Sequence, residues 1–402
     1  MINFLLKVPL SGCLTELSEL FVQKPHNVLE HEGEHFSFMA WGDPIVEIDF
    51  FELLEKQNNV ETILKQVAGH YYYIFQNKQT NTLHIGNSIF GILPVYYAHQ
   101  HHTLWISDRT ESFHGEIPLT FNPRFVLENI LFNYPLFNIS PFFEVNLLPV
   151  NNTLIFKGES YKVINIFSIE ELFIKKPISQ KKSLKPSVNT FLNTSKKYYP
   201  NHHFNVSLTG GFDGRTLVAR ALALDKKFST YSFGSKESHD VQIAKTLASA
   251  VRINFNQFEL DSDYAKDESL KLGLEFIENA GGTASFFRAH YLYAAKSLSQ
   301  NSDILITGNF GSEVFRAAHI AGAVISPNLY TLFNAKNYDE AIVLLDNATE
   351  WGWLNKDEFT QAKQELYQDL KSFPAFAPQY ALWTKNQQFY KVVFDEVFRK
   401  YF

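Results

Sequence analysis

A short polar loop between two apolar segments carries the clearest chemical signal in the chain. Residues 207–215 read Ser-Leu-Thr-Gly-Gly-Phe-Asp-Gly-Arg; a buried-strand pattern precedes them, and apolar residues at helical spacing follow them. Glycines let the backbone approach an anion closely, and a helix N-terminus offers free N–H groups and a favourable dipole. The loop therefore predicts a phosphate-binding turn, with Thr209 as an added hydroxyl donor.

The charged residues of this loop allow more than one interpretation. The Asp213 carboxylate would repel a phosphate unless it held a metal ion that bridges protein and phosphate oxygens, which suits a Mg²⁺ triphosphate. A structural alternative is a tight turn in which Asp213 caps the helix. Arg215 could contact phosphate oxygens through two parallel hydrogen bonds, or it could pair with a neighbouring carboxylate at the surface. The loop matches neither the Gly-Lys-Ser/Thr pattern nor the Gly-x-Gly-x-x-Gly dinucleotide turn.

The elements that must position this loop divide the chain into two halves. Short β-like runs separated by Asn, Gly and Lys predict antiparallel hairpins at residues 4–10, 67–75, 82–85, 95–97 and 103–107, with one helix at 123–132. From residue 201, strands alternate with helices, which predicts a parallel sheet with crossovers: strands at 204–208, 227–233, 251–260 and 303–306, and helices at 215–224, 240–250 and 286–298. The basic residues 175–197 predict a solvated linker that leads into an exposed helix.

Composition excludes several classes of protein. The 402 residues carry a net charge of −6, which argues against a general nucleic-acid binder. The single cysteine excludes a disulfide framework and a cysteine-rich metal site within the chain. No apolar run is long enough to span a membrane, and the lipoprotein-like tetrapeptide that ends at Cys13 lacks the cationic segment of a signal peptide. We therefore predict a cytoplasmic protein with neither a membrane nor a nucleic acid as partner. The 38 Phe and 19 Tyr name no ligand.

Four segments in order resemble motifs of the asparagine synthetase family, whose members adenylate a carboxylate with ATP. The loop resembles the family's Ser-Gly-Gly-x-Asp-Ser pyrophosphate loop. Residues 86–97 resemble the Asp-x-x-Gly-x-x-Pro-Leu-Tyr-Tyr signature of its glutaminase domain, and residues 231–244 resemble its second strand and helix. Residues 306–315 resemble its Ser-Gly-Glu-Gly-x-Asp-Glu-Leu-Phe segment.

The resemblance implies an α/β chain of two domains. Residues 1–165 would form an Ntn-hydrolase-like αββα sandwich with antiparallel sheets. Residues 166–402 would form an adenine nucleotide alpha-hydrolase-like (PP-loop) domain with a parallel sheet, and this domain is short at its C-terminal end compared with the family. The missing part could come from a partner protein or from a second copy in a homodimer.

The resemblance also implies ATP and Mg²⁺ as cofactors. Asp213, Arg215 and Glu313 would be catalytic, and Asp213 and Glu313 would hold the metal. The implied cofactor-binding residues are Leu208, Thr209, Gly210, Gly211, Phe212, Gly214, Ser232, Phe233, Thr307 and Gly308.

Three departures from the family pattern bear on activity. Family glutaminases use a cysteine at residue 2 as the nucleophile, whereas this chain has Ile2, and the surroundings of Cys13 are unlike the family's Cys-Gly-Ile start. An isoleucine cannot attack an amide, so we expect the first domain to be a silent glutaminase. In the second domain Asn309 replaces a Glu and Ser312 replaces a metal-binding Asp; the loss of a carboxylate weakens Mg²⁺ binding and affects catalysis more than nucleotide binding.

Two functions remain open at this stage. The first is an AMP-forming ligase that adenylates a small-molecule or peptide carboxylate and joins it to ammonia or an amine not released by its own glutaminase site. The second is a catalytically degenerate member that serves as a binding or assembly subunit. Pyrophosphate release that depends on a carboxylate would favour the first, and a stable complex with another protein, together with no effect of Asp213→Ala on the phenotype, would favour the second.

Overall fold

The computed structural model describes residues 3–10, 16–47, 49–56, 60–176, 178–311, 314, 325–348 and 356–400. Contacts divide the chain into two compact units, one formed by residues 1–175 with 317–402 and the other by residues 176–316. The sequence interpretation places the domain boundary at residue 165 and assigns everything beyond it to the second domain. The structure differs from it because the C-terminal residues group with the first unit.

The first unit contains two antiparallel sheets. A five-stranded sheet has the order β2-β1-β8-β7-β9, and a six-stranded sheet has the order β11-β10-β6-β5-β4-β3. The strands are β1 (Leu5–Pro9), β2 (Phe21–Gln23), β3 (Leu29–Glu32), β4 (Phe36–Gly42), β5 (Tyr71–Asn77), β6 (Thr82–Asn87), β7 (Tyr96–Gln100), β8 (Thr103–Ser107), β9 (Asn146–Leu147), β10 (Asn152–Lys157) and β11 (Ser160–Asn165).

The two sheets face each other across an apolar core. Side chains from β1 and β8 in one sheet pack against side chains from β4, β5, β6 and β10 in the other, among them Leu6, Ile106, Trp41, Ile74 and Phe156. The outer face of the six-stranded sheet packs on two short helices, α1 (Phe50–Lys56) and α2 (Val60–Leu64). Alternate residues along the strands of the six-stranded sheet thus point to opposite faces, and both faces are buried. This is the geometry of an inner sheet in a layered sandwich.

The remaining helices of the first unit come from three parts of the chain. α3 (Pro123–Phe132) begins after Asn122, whose side chain accepts a hydrogen bond from the backbone N–H of Arg124. α4 is Glu170–Phe173. The C-terminal helices are α10 (Pro327–Asn334), α11 (Tyr338–Ala348), α12 (Lys356–Leu370), α13 (Lys385–Val392) and α14 (Phe398–Lys400), with a π-helical turn at Val393–Val397.

Contacts with α3 explain why the C-terminal helices belong to the first unit. The Asn328 side-chain amide donates to the carbonyl oxygen of Leu131 at 2.8 Å. The Arg124 guanidinium in α3 contacts the Asp369 carboxylate in α12 at 2.7 Å. No sequence motif predicts such contacts between segments that are far apart in the chain.

The second unit is built on a four-stranded parallel sheet of order β14-β13-β12-β15. Its strands are β12 (Phe204–Ser207), β13 (Phe228–Phe233), β14 (Phe255–Phe258) and β15 (Leu305–Ile306). Its helices are α5 (Gln180–Ser195), α6 (Phe212–Ala223), α7 (His239–Ala250), α8 (Ser269–Asn279) and α9 (Ala289–Leu298), with a π-helical turn at Tyr264–Glu268.

The two faces of this parallel sheet pack on different helices. Phe204, Val206 and Leu208 point to one face and form a core with α6 and α7. Tyr231 and Phe258 pack on the other face against Ala294 and Leu298 of α9.

The structure confirms the predicted α/β class and the predicted types of sheet. The chain is mixed α/β, with antiparallel sheets in one unit and a separate parallel sheet in the other. The helix predicted at 123–132 and the strand at 103–107 are found with the same bounds. α5 is largely exposed, as predicted for the basic segment. Among the described helices, none combines the length and the apolar composition needed to cross a membrane.

Candidate functional site

The predicted phosphate loop joins β12 to α6 at the carboxyl edge of the parallel sheet. β12 pairs in parallel with β13 on one side and with β15 on the other, so the loops that follow these strands leave at the same edge. α6 is a 12-residue helix whose N-cap is Gly211, and no side chain among the described residues caps it. An uncapped helix N-terminus presents backbone N–H groups and a positive dipole end, which is the arrangement that binds anions.

Glycines in the first turn of α6 and after β15 permit the close packing seen at this edge. A Cβ atom at Gly214 would lie 2.7 Å from the carbonyl oxygen of Ser207, so α6 could not approach β12 as closely with any other residue there. A Cβ at Gly308 would lie 2.8 Å from the Cβ of Asp213, and one at Gly311 would lie 2.8 Å from its carboxylate. The loop after β15 therefore packs directly on Asp213, and two segments predicted to act together are adjacent.

Two side chains already accept hydrogen bonds from backbone N–H groups of the loop. The Gly210 N–H donates to Oδ1 of Asp240 at 3.1 Å, and the Gly211 N–H donates to Oγ1 of Thr209 at 3.2 Å. Asp240 lies in the first turn of α7, which begins after the Ser238 cap. The sequence interpretation did not include Asp240 among the site residues, although its place just after a strand and a glycine turn is typical of a residue at this edge.

Arg215 turns back onto its own helix. Its Nε donates to the carbonyl oxygen of Gly211 at 3.1 Å, and its guanidinium carbon lies 4.3 Å from the centre of the Phe212 ring. The Phe212 side chain is 74% exposed. Within the described residues, the guanidinium thus contacts a carbonyl oxygen and a ring and not a carboxylate.

The other predicted nucleotide-binding residues differ in their surroundings. Leu208 packs in the core beneath α6 and α7, so only its backbone could contact a ligand. Ser232 is 2% exposed, and its hydroxyl has no hydrogen-bond partner among the described residues. Phe233 packs edge-on against the rings of His290 and Tyr291. Thr307 is exposed in the loop after β15.

The predicted metal site is only partly described. Asp213 lies at the start of α6, in contact with the loop after β15. Glu313 and Ser312 lie outside the described residues, as do Ile2 and Cys13. Within the described ranges, no group of three or more His, Cys, Asp or Glu side chains is placed to hold a metal ion. The described part of the edge thus offers one loop carboxylate, Asp213, beside a helix N-terminus.

Aromatic rings fill the space between the two sheets of the first unit near its N-terminus. The Phe4 ring lies 5.0 Å from Trp41 and 4.8 Å from Tyr72, and Phe21 lies 5.4 Å from Trp41. Burial raises the pKa of Tyr72 well above its usual range. This cluster accounts for part of the aromatic content that the sequence left unexplained, and its role is packing.

No protein-family model matches the chain, and none of the curated proteins matches it. Solved structures do match, at low similarity. Glutamine phosphoribosylpyrophosphate (PRPP) amidotransferase from B. subtilis, complexed with ADP and GMP, is 8% identical; the match covers 71% of this chain and 73% of that chain, with a TM-score of 0.22. The allosteric regulatory enzyme of purine biosynthesis is 10% identical, with coverages of 64% and 60% and a TM-score of 0.22. Such values establish neither a shared fold nor a shared activity.

Proposed function

We propose that the parallel-sheet unit binds ATP with Mg²⁺ at residues 209–215 and uses it to activate a carboxylate. The observation that carries the proposal is the packing of the loop after β15 on Asp213, beside the uncapped N-terminus of α6. The buried hydroxyl of Ser232, without a partner among the described residues, lies on the neighbouring strand. The order of the four sequence motifs supplies the reaction class by resemblance.

In this proposal the loop binds the triphosphate and Asp213 holds the metal ion. The backbone of Thr209, Gly210 and Gly211 and the N-terminus of α6 would contact phosphate oxygens. Asp213 would bind Mg²⁺, with Glu313 as the second carboxylate that the resemblance implies. When bound, Mg²⁺ would neutralise the charge that develops on the leaving pyrophosphate.

The reaction has two balanced steps. A carboxylate oxygen attacks the α-phosphorus of ATP, the bond to the bridging oxygen breaks, and pyrophosphate leaves with that electron pair. An amine nitrogen then attacks the activated carbonyl carbon, and AMP leaves as the amide forms and the nitrogen loses a proton. Because residue 2 is an isoleucine, the amine would be free ammonia or an amine substrate, and the sandwich of the first unit would be a glutaminase scaffold without its nucleophile.

Thermal denaturation with ATP and Mg²⁺ tests the nucleotide site. A ligand that binds only the native state raises its stability by RT ln(1 + [L]/Kd), about 2.7 kcal/mol at 100 Kd. We expect the transition of the wild-type protein to rise with ATP and Mg²⁺ and that of Asp213→Asn to rise much less. Asp267→Asn, which removes an exposed carboxylate from the Tyr264–Glu268 turn, is the matched control. No rise at millimolar ATP would overturn the proposal.

A second candidate function, a non-catalytic binding subunit, is favoured by the position of Arg215. Its guanidinium donates to the Gly211 carbonyl oxygen and lies beside the Phe212 ring, so these contacts are local to the start of its own helix. Pyrophosphate release separates the two functions. A ligase releases pyrophosphate from ATP only with its carboxylate, whereas a subunit shows the thermal shift without any turnover over a panel of amino acids and hydroxy acids.

A further inference from the structure

A polar cleft lies at the amino edge of the parallel sheet, at the opposite end of the strands from the phosphate loop. Its volume is about 410 Å³. Six of its seven lining residues are polar, and Leu298 is the apolar one. The polar residues are His203, Asn205, Ser229, Asn254, Asn256 and Asn301. Strands of a parallel sheet covered by helices normally carry apolar side chains on both faces, so this composition calls for an explanation.

Three of these side chains form a row across adjacent strands. Asn205 in β12 stands directly opposite Ser229 in β13, and the next residue, Thr230, donates its N–H to the carbonyl oxygen of Asn254 at 2.8 Å. On the other face of β12, Phe204 and Val206 pack in the core. In β12 the polar side chain of Asn205 therefore lies on the face that forms the cleft.

The floor of the cleft contains the buried side-chain amide of Asn205. Asn205 is 1% exposed, and its Nδ2 has no hydrogen-bond partner among the described residues. Beside it, Nε2 of His203 lies 3.0 Å from the hydroxyl of Ser229. A buried amide without a partner destabilises the fold, and such groups are commonly retained where a ligand or an ordered water completes them.

The chemistry of the lining limits the class of ligand. The cleft has no Asp, Glu, Lys or Arg among its lining residues, so a charged ligand would lose its hydration without gaining a counter-charge. Amide, hydroxyl and imidazole groups both donate and accept hydrogen bonds, as sugar hydroxyl groups do. Its lining residues include no Phe, Tyr or Trp that could stack on a nucleobase. Its volume lies within the range of small-molecule sites.

We propose that this cleft binds a neutral polyhydroxyl compound the size of a monosaccharide, held by Asn205 and the His203–Ser229 pair. Asn254, Asn256 and Asn301 are exposed at the rim and would contact its outer hydroxyl groups. The site is separate from the proposed ATP site, since it lies at the amino ends of the strands.

Saturation-transfer NMR with glucose, N-acetylglucosamine, ribose and myo-inositol tests this proposal on the full chain. We expect at least one of these probes to bind with a Kd of about 10 mM or below. Asn205→Leu should weaken that binding at least about tenfold. Asn201→Leu, the same change at an exposed asparagine whose Oδ1 accepts a hydrogen bond from Lys226 at 2.7 Å, should leave it unchanged. Binding that survives Asn205→Leu, or no binding by any probe, overturns the proposal.

A milder variant keeps the test valid if Asn205→Leu fails to fold. Ser229→Ala removes one hydroxyl from the floor and leaves the Asn205 amide in place. We expect it to weaken binding of the same probe while leaving the ATP-dependent thermal shift unchanged. Equal binding by wild type and Ser229→Ala would contradict the role given to the His203–Ser229 pair.

Discussion

The Asp240 carboxylate accepts the backbone N–H of Gly210 at 3.1 Å, so one donor of the phosphate loop is occupied by an acidic side chain from the next helix. A phosphate that bound there would compete with this carboxylate and would be repelled by its charge. The same repulsion applies to Asp213 two residues into α6. We therefore do not expect a metal-free phosphate to bind tightly. A phosphate that carries a bound metal cation would instead bring a positive charge towards the carboxylates of Asp213 and Asp240.

Replacing Asp240 with alanine should strengthen the binding of pyrophosphate in the absence of divalent metal. The change frees the Gly210 N–H and removes a nearby like charge; with partial screening by solvent we expect a gain of about 1 kcal/mol, or about fivefold in Kd. Calorimetric titration of pyrophosphate in EDTA measures it. Asp267→Asn controls for the change in net charge alone. Unchanged or weaker binding by Asp240→Ala would contradict the competition.

The sequence predicted the backbone of the candidate site better than its side-chain contacts. The strand–glycine–helix pattern located the loop, because glycine content and helical periodicity are local properties. The contact of Asp240 with Gly210 and the burial of Ser232 depend on how neighbouring strands are paired. Arg215 shows the same limit: its residue type allows several partners, and only the structure shows that it donates to Gly211.

Replacing Gly214 with alanine should destabilise the parallel-sheet unit. Helix propensity alone predicts that alanine stabilises a helical site by about 1 kcal/mol. Here the new Cβ would lie 2.7 Å from the Ser207 carbonyl oxygen, a backbone atom that cannot move aside, so overpacking should cost about 1–3 kcal/mol beyond that gain. Thermal denaturation checks the sign.

Ala219→Gly serves as the control for this prediction. Ala219 is exposed on the same helix, so this change should cost about 1 kcal/mol through propensity alone. A rise in stability on Gly214→Ala would show that α6 can move away from β12, and would remove the packing role given to this glycine.

The fold was predictable where strands and helices follow local patterns and not where distant segments meet. The short β-like run at 103–107 and the Pro-led helix at 123–132 gave correct bounds. The grouping of α12 with α3 rests on Arg124 and Asp369, which are far apart in the sequence. A charged pair carries no pattern that identifies its partner, so the domain boundaries expected from resemblance differ from the compact units.

Removing the Glu128 carboxylate should strongly destabilise the first unit. Its Oε1 accepts from Nε of Arg124 at 2.6 Å, and the two side chains are 0% and 7% exposed. Glu128→Leu would leave a buried guanidinium without this partner, which typically costs about 3–5 kcal/mol. The double variant Arg124→Leu/Glu128→Leu should recover most of that loss, because two packed apolar residues often replace a buried ion pair without penalty.

Urea denaturation of both single variants and the double variant measures this coupling. Asp369→Ala, which removes the more exposed contact of Arg124, should cost no more than about 1 kcal/mol. If Glu128→Leu and the double variant were equally unstable, the loss would come from packing of α3 or from the Leu136 N–H, which donates to Oε2 of Glu128, and not from the uncompensated charge.

His84 should make the first unit sensitive to mild acid. Burial lowers the pKa of this β6 imidazole from its ordinary 6.5 to about 4, and its Nδ1 has no hydrogen-bond partner among the described residues. Between these two pH values the unfolded chain binds a proton that the folded chain does not, so stability falls as the pH drops from 6.5 toward 4. The loss should reach about 2–3 kcal/mol.

Urea denaturation of the wild type and of His84→Leu at pH 8 and pH 4.5 tests this effect. The His84 ring centre lies 5.7 Å from that of Phe75, so the leucine would place an aliphatic side chain beside this ring. The variant should lose less stability than the wild type between the two pH values. His102→Gln, at an exposed position in the turn between β7 and β8, should behave as the wild type does. If the wild type and His84→Leu lose stability equally, the proton is taken up elsewhere, and the imidazole of His84 is already protonated or solvated in the folded chain.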